Sequence, residues 1–466
     1  MKTMAVVLAA GQGKRMKSKL YKVLHPVCGK PMVGHIVDML ERVQNDRILV
    51  VVGHGADAVK AYLGDRVDYV LQEQQLGTGH AVLQARDLIA EENGTTIVIN
   101  GDMPLVRDET LMRMLGLHRE RGAAATVLTV EIDNPHGLGR VIRDACGEVL
   151  RIVEQKDCTE EEARIREINV GTYCFDNRKL FAALAQVTNN NAQQEYYLTD
   201  VIEILKKQGE TVLAYMSDDA SEGYGVNDRL GLAEAERLMR RRINERHMMN
   251  GVTIVDPEHT YIEADVRIGP DTVIWPGCLL RGATVIGSGC TIGPQADILD
   301  SRIGDNVTVN RSVLLEAAVA EGANIGPFAY LRPGSDIGRN VKIGDFVEIK
   351  NASLQEGVKV SHLSYVGDAR VGRNVNIGCG AITVNYDGYR KHRTEIGDDA
   401  FIGSNVNLIA PVKIGQGAYV VAGSTITRDV PDNDMAIARE RQTNKPGYAV
   451  ELRNRIRARS EAKKDD

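Results

Sequence analysis

From residue 262 onward the chain repeats every six residues. Ile262, Ile268, Ile274, Leu280, Ile286, Ile292 and Ile298 fall at strict six-residue intervals. The phase slips by five to Ile303 and runs on through Val309 and Leu315. It resumes over Ile325, Leu331, Ile337, Ile343 and Ile349, then Leu354, Val360 and Val366, and closes with Ile396, Ile402, Leu408, Ile414, Val420 and Ile426. A period of six fits neither a helix nor an alternating strand. It fits a parallel β-helix, where each hexad makes one short side of a triangular coil and turns a corner. The large aliphatic residue points inward. A small or β-branched residue four positions later fills beside it, as at Val266, Thr272, Cys278, Ala329, Val341, Val406 and Ala418. Three hexads per coil predict about nine or ten coils, stacked roughly 4.8 Å apart.

The first 250 residues have another rhythm. Short apolar runs predict strands at 4–10, 47–52, 96–100 and 124–129, and amphipathic stretches predict helices at 32–42, 78–89 and 108–120. This alternation implies an α/β domain with a mainly parallel, Rossmann-like sheet and helices on both faces. Such sheets bind ligands at the carboxyl ends of their strands. Residues 228–250 are rich in helix formers and end at Asn250–Gly251, so they read as a long helical spacer. The expected organisation is a first domain over 1–229, a connecting helix over 230–250, and a hexad domain with a tail over 251–466. A loop interrupts the hexads between Ile377 and Ile396, and 439–466 lacks them, reading as a solvated basic tail. Loops inserted into a regular scaffold are where function concentrates.

Composition excludes several classes. A net charge of −6 gives nucleic-acid binding no electrostatic support. Seven cysteines without a C-x-x-C pair argue for a reducing compartment and against a disulfide framework or a structural zinc site. The N-terminal apolar run is short and ends in glycine and cations, a first strand rather than a leader, and no run has membrane-spanning length. A cytoplasmic setting follows as the expectation.

The segment LAAGQGKRMKSKLYKVLHP at 8–26 places Gly11, Gly13, Lys14, Arg15 and Lys22 directly after the first strand. It is neither a dinucleotide fingerprint, because the third glycine position is Met16, nor a P-loop. A glycine turn with free backbone N–H groups and cations is an anion-binding concavity. The strand 96–100 runs into Gly101–Asp102, which puts a carboxylate where Mg²⁺ is held with few protein ligands. Gln72 with Gly77, Thr78 and Gly79 offers amide and backbone partners for a nucleobase edge. Among the hexads, Lys350–Asn351 and the stretch 360–368, with His362 and Tyr365, are unusually polar and lie near Asn376 and the Asn385–Tyr386 loop. Histidine takes a proton near neutral pH, which suits it to general-base work.

LAAGQGKRM with Lys22, QLGTGHA, NGDMPL, IVEQKD, EINVGTY, QEYYLTD and YGVND, in this order, resemble the sugar-nucleotide pyrophosphorylases. With the hexads behind, the chain resembles the bifunctional uridyltransferase–acetyltransferases that make UDP-N-acetylglucosamine for the cell wall. The resemblance covers nearly all of the chain except the basic tail. It implies a left-handed β-helix, a homotrimer, and the co-substrates UTP and acetyl-CoA. Leu8, Ala9, Ala10 and Gly11 would follow the nucleotide, Lys22 would neutralise phosphate, and Gln72, Gly77 and Thr78 would hold uracil. Asp102 and Asn227 would bind Mg²⁺, and Gly139, Glu154 and Asn169 the N-acetylhexosamine. His25, His80 and His136 are then structural or peripheral. In the second half, His362 would be the general base, Arg332 and Lys350 would hold the sugar phosphate, and Tyr365, Asn376, Asn385 and Tyr386 would complete the pocket. Ser404, Ala422 and Arg439 would lie along coenzyme A. The backbone N–H of Cys379 would stabilise the oxyanion, at a position where the family often carries alanine; direct transfer needs no thiol. Two rivals stay open at this point: a single-activity sugar-1-phosphate nucleotidyltransferase with a structural β-helix, and a non-catalytic assembly subunit.

Overall fold

The structure is a computed structural model that describes residues 2–53 and 55–462. The chain divides into two compact units, Met1–Asn250 with Asp256–Val266, and Gly251–Val255 with Arg267–Asp466.

The first unit is built on one sheet. From edge to edge its main strands are Val212–Met216, Ala125–Glu131, Glu167–Asp176, Gly94–Asn100, Lys2–Ala9, Arg47–Val52 and Asp68–Leu71. Neighbours pair in parallel except Glu167–Asp176, which is antiparallel to both of its partners. The sheet is therefore mixed, with a parallel core around Lys2–Ala9. Successive residues of a strand face opposite sides, and here both sides are apolar. Met4, Val6, Leu49, Val51 and Val98 enter one core; Ala5, Val7, Val50, Ile97 and Ile99 enter the other. Helices must then cover both faces. Met32–Arg42 and Asp108–Glu120 bury Val33, Ile36, Leu40, Leu111 and Met114 on one side. Thr78–Leu83, Asn177–Leu184 and Asp200–Lys207 bury Val82, Leu180, Val201 and Leu205 on the other. The single helix expected over 78–89 is two short ones, Thr78–Leu83 and Arg86–Ile89, because Gln84 and Ala85 tighten onto the carbonyls three residues back.

The expected spacer is the helix Arg229–Met249, capped by Asp228, whose carboxylate accepts from Gly231 N at 2.8 Å. It is a packed element of the first unit. Ala235 joins Val27, Met32, Leu105 and Val226 in a small core, and Arg242 reaches Asp219 and Ser221 at 2.9 and 2.6 Å.

The second unit is the β-helix that the hexads demand. Two- to four-residue strands of this unit stack in parallel into sheets of eleven, nine and nine strands, one per side of the coil. The predicted inward aliphatics are buried, with Ile268 half-buried and one correction. Leu314, not Leu315, points inward, at 0% exposure. Its register explains the error: Leu280 pairs with Ile298 eighteen residues on, but Ile298 pairs with Leu314 only sixteen residues on. Corners turned by Asp300 and Arg311 in the left-handed region shorten that coil. Within the expected tail, Tyr448–Ala462 is a helix; of its described side chains all are exposed. Residues 463–466 lie outside the described residues.

Candidate active sites

The glycine loop leaves the carboxyl end of Lys2–Ala9. Leu8 is half-buried, Ala9 and Ala10 are buried, and Gly11 is exposed. Gly13 has φ +62°, and a Cβ there would sit 2.6 Å from the Lys22 Cβ. Only glycine lets the Lys22 side chain pass. Around Gly11 a Cβ would meet nothing within 4 Å. That open space lies beside the strand end, where a ligand's backbone contacts would fall.

Lys22 reaches two residues far away in sequence. Its ammonium contacts the Asp102 carboxylate and donates to Asn227 Oδ1 at 2.9 Å. Arg15 donates to the same Asn227 oxygen at 2.9 Å. Asp102 follows the strand Gly94–Asn100, and the Val226 amide donates to the Asp102 carbonyl at 3.0 Å, which brings Asn227 alongside. Two oxygens thus converge on one cation. One carboxylate and one amide oxygen suit Mg²⁺, which keeps several waters and binds phosphates as well. The residues fit the ion.

Gln72, Gly77 and Thr78 meet at the loop before Thr78–Leu83. Gln72 is buried and donates from Nε2 to Gly77 O at 3.3 Å. Gly77 has φ +113°, and a Cβ would lie 2.6 Å from Tyr196 O. Thr78 Oγ1 accepts from Leu198 N at 3.0 Å. Gln75 ties this loop to the glycine loop by donating to Ala10 O at 3.2 Å. The third cluster also assembles. Asn169 N donates to Gly139 O at 2.9 Å, and a Cβ on Gly139 would lie 3.6 Å from the Glu154 carboxyl oxygens. Burial, chiefly, together with Asp157, Asp200 and Glu195, pushes the Glu154 carboxyl above its usual range.

In the second unit the site is read along the coil axis. Asp345 pairs in register with His362, and Lys359 with Asn376, Asn376 with Phe401, and Phe401 with Tyr419. Three residues on from the last four lie His362, Cys379, Ser404 and Ala422. Asp345, His362, Cys379, Ser404 and Ala422 therefore form one column at one corner of successive coils. His362 is exposed and directs Nδ1 at Asp345 Oδ1, 2.5 Å away. That contact holds the Asp345 carboxyl below its usual range. Beyond the column, the Arg439 side chain lies beside Gly423, whose Cβ would be 3.8 Å from Arg439 Cδ.

A second cluster occupies the adjoining face. Leu331 pairs with Ile349, which stacks Arg332 below Lys350. Arg332 donates to Glu348 at 2.8 Å. The Tyr365 ring folds over Gly367, where a Cβ would lie 2.3 Å from its hydroxyl oxygen. Asn385, buried at the start of the inserted loop, donates to Asp368 at 2.6 Å and to the Tyr365 hydroxyl at 3.3 Å. Tyr386 is exposed and donates to Gly388 O at 2.6 Å. Asn376 stands apart from this network, half-buried between Lys359 and Phe401.

Four residues missed by sequence reasoning complete the picture. Asp345 orients His362, and its spacing of one coil was the available signal. Asp368 accepts from both Asn351 and Asn385. Lys391 sits beside Lys350, whose ammonium pushes the Lys391 pKa down, and neither lysine joins an ion pair among the described residues. Gln75 links the two loops of the first unit. Among the described residues no group of three or more histidine, cysteine, aspartate or glutamate side chains is placed to hold a metal ion.

The fold and clusters define a nucleotide-handling α/β domain joined to a hexapeptide-repeat transferase. Residues 5–203 match the MobA-like NTP transferase domain family, and residues 265–296 and 393–428 match the bacterial transferase hexapeptide family of six repeats. Proteins named Bifunctional protein GlmU match nearly end to end. That of Brevibacillus brevis is 60% identical over 448 residues, covering 96% of this chain and 97% of its own. That of a Geobacillus species is 58% identical over 451 residues, covering 97% and 98%. That of Enterococcus faecalis is 57% identical over 448 residues, covering 96% and 98%. The chain belongs to the bifunctional GlmU family, and it is an enzyme with a nucleotidyltransferase half and a hexapeptide transferase half.

Proposed function

We propose that the chain makes UDP-N-acetylglucosamine in two steps, feeding peptidoglycan synthesis. The second unit transfers acetyl from acetyl-CoA to the amine of glucosamine 1-phosphate. The first unit transfers uridyl from UTP to N-acetylglucosamine 1-phosphate and releases pyrophosphate. The domains run over 1–229, 230–250 and 251–466. The observation that carries the reading is the pairing of a cation-binding pair of oxygens around Lys22 with an exposed Asp345–His362 contact in a column of small residues.

In the acetyl transfer, Asp345 accepts from His362 Nδ1–H and leaves Nε2 free to take the amine proton as nitrogen attacks the thioester carbon. The Cys379 amide, one coil along the column, stabilises the oxyanion, and the thiolate of coenzyme A leaves. Ser404, Ala422 and Arg439 line the path of the coenzyme. Arg332, Lys350 and Lys391 hold the sugar phosphate, and Tyr365, Asn376, Asn385 and Tyr386 hold the sugar. In the uridyl transfer, the phosphate monoester of the sugar attacks the α-phosphorus. Its second pKa is about 6, so it needs no base. Leu8, Ala9, Ala10 and Gly11 follow the nucleotide, Lys22 neutralises phosphate charge, and Gly139, Glu154 and Asn169 hold the acetylated sugar. Asp102 and Asn227 would hold Mg²⁺, which supplies charge neutralisation on the triphosphate when bound.

The protein works as a homotrimer in the cytoplasm. Seven free thiols support a reducing setting, and among the described residues no helix is long and apolar enough to cross a membrane. The decisive experiment assays both reactions in two variants. His362→Ala abolishes N-acetylation and keeps pyrophosphate release, and Asp102→Ala does the reverse. If either change removed both activities from folded protein, the division of labour would be wrong.

A further inference from the structure

The sequence reading set His80 aside as structural or peripheral. The structure puts its ring against Gln72. The Gln72 amide N–H donates to Val52 O at 2.8 Å, which fixes its backbone at the strand end. Its side chain is buried, with Nε2 3.3 Å from Gly77 O and 2.9 Å from His80 Nδ1. A carbonyl oxygen only accepts, so the end of the amide facing Gly77 is the NH₂ group. Its two hydrogens go to Gly77 O and His80 Nδ1. The ring proton then sits on Nε2, since a neutral imidazole accepts at one nitrogen only. On the ring's far side Nε2 also faces an amide nitrogen, Gln84 Nε2 at 3.2 Å, but that NH₂ group has its acceptor in the His80 carbonyl at 3.0 Å, so the shorter Gln72 contact is the one the ring accepts. The ring also packs near Tyr196, with centroids 6.4 Å apart. Gln72 Oε1 keeps its lone pairs, and no donor among the described residues reaches it.

We infer that His80 is a specificity-determining positioning residue: it pins the Gln72 amide so that only the oxygen faces the base, which selects uracil over cytosine. Uracil carries a donor at N3. Cytosine carries a lone pair there, which would meet the lone pairs of Oε1. A pocket built around a hydrogen bond rejects the analogue that leaves it unmade far more strongly than it rejects a change of size. The inference rests on the reading that the 72–79 loop takes the base of UTP.

Two variants of the full chain separate the acceptor from the ring. His80→Phe keeps the ring and loses the acceptor; His80→Asn loses the ring and can place Oδ1 where Nδ1 stood. Pyrophosphate release with N-acetylglucosamine 1-phosphate gives kcat and KM for UTP and for CTP. The wild type prefers UTP. In His80→Phe the UTP-to-CTP ratio of kcat/KM falls about tenfold or more, carried by KM, because the base lies away from the reacting phosphorus. In His80→Asn the ratio stays within about threefold of wild type. The inference is overturned if Phe keeps the ratio, if Asn loses it as fully as Phe does, or if kcat falls for both nucleotides with the ratio intact. Should His80→Phe not fold, His80→Leu takes its place as the variant without a ring acceptor and is read in the same way. A wild type that releases no pyrophosphate from UTP would sink the uridyl reading itself and the role of His80 with it.

Discussion

Replacing Lys22 by methionine tests the cation site most directly. In the structure the Lys22 ammonium is itself the cation between the two oxygens: it contacts the Asp102 carboxylate and donates to Asn227 at 2.9 Å. Both charged side chains are mostly buried, at 13% and 21% exposure. A divalent ion arriving without nucleotide must displace this contact. A hydrogen bond to a charged group is worth about 1.5–3 kcal/mol net, or roughly 10- to 100-fold in affinity. Lys22→Met should therefore bind a divalent cation about 10- to 100-fold more tightly than wild type when no nucleotide is present. The assay is the free Mn²⁺ resonance during titration of the full-length protein, with Asp102→Asn as the variant that loses the site. Uridyl transfer should move the opposite way and fall, because the displaced lysine is the group left to meet phosphate. Unchanged or weaker Mn²⁺ binding in folded Lys22→Met would refute the reasoning, since removing a bound cation's competitor cannot leave the site unaffected.

Other substitutions probe the remaining geometry. Asp345→Asn should lower acetyl transfer by about 10- to 100-fold, less than His362→Ala, and leave pyrophosphate release unchanged in a coupled assay of both activities. Gly77→Ala should destabilise the first unit by more than ~2 kcal/mol, because φ is +113° and the new Cβ would meet Tyr196 O at 2.6 Å; Gly11→Ala, with open space around it, should stay within about 0.5 kcal/mol yet weaken UTP binding in calorimetry. Asp200, pushed up to about 6 by burial and by Glu203 and Asp157, holds its proton more tightly folded than unfolded. Folding stability from this group is thus lost as pH rises from about 4 through about 6. Asp200→Asn should gain about 1–2 kcal/mol above pH 6, and little at pH 4, in urea titrations followed at each pH.

The β-helix was legible because each hexad carries its own inward residue, so the pattern needs no knowledge of partners. What failed was local: a one-residue shortening of a corner moved the inward residue from Leu315 to Leu314, and an apolar pair cannot say which member faces in. In the first unit the runs at 32–42, 47–52 and 108–120 returned with their bounds intact, since amphipathic helices and buried strands signal themselves. The strand Glu167–Asp176 and its antiparallel sense are absent from the sequence expectations, since a strand's sense depends on the chain's path and not on its own residues. The tail helix Tyr448–Ala462 escaped for a related reason, having no buried stripe to give it a period. Site residues divide the same way. Lys22, Asp102 and Asn227 lie together through a backbone bond between Val226 and Asp102, which no local pattern encodes; only a resemblance joined them. Asp345 was within reach, because it precedes His362 by one coil.

The coil geometry also explains why the proposed acetyl site draws on residues so widely spaced. Each turn gives one residue to a given corner, so a linear ligand lying along the axis meets Cys379, Ser404 and Ala422 in succession although 25 and 18 residues separate them in register. Regular stacking alone offers a ladder of single contacts, too sparse to enclose a sugar. The inserted loop supplies the rest. It leaves the strand Ile382–Val384 and returns at Thr394–Ile396, and its first residue, Asn385, is tied down by the Asp368 carboxylate, which also accepts from Asn351 one coil away. Thr394 N closes the loop by donating to Asp368 O at 3.2 Å. One residue thus anchors both ends of the loop to the prism, and the loop's lysine, Lys391, is held beside Lys350 with the Asp368 carboxylate near it. A scaffold with a fixed repeat gains a binding pocket by interrupting the repeat once and fastening the interruption to the coils on either side.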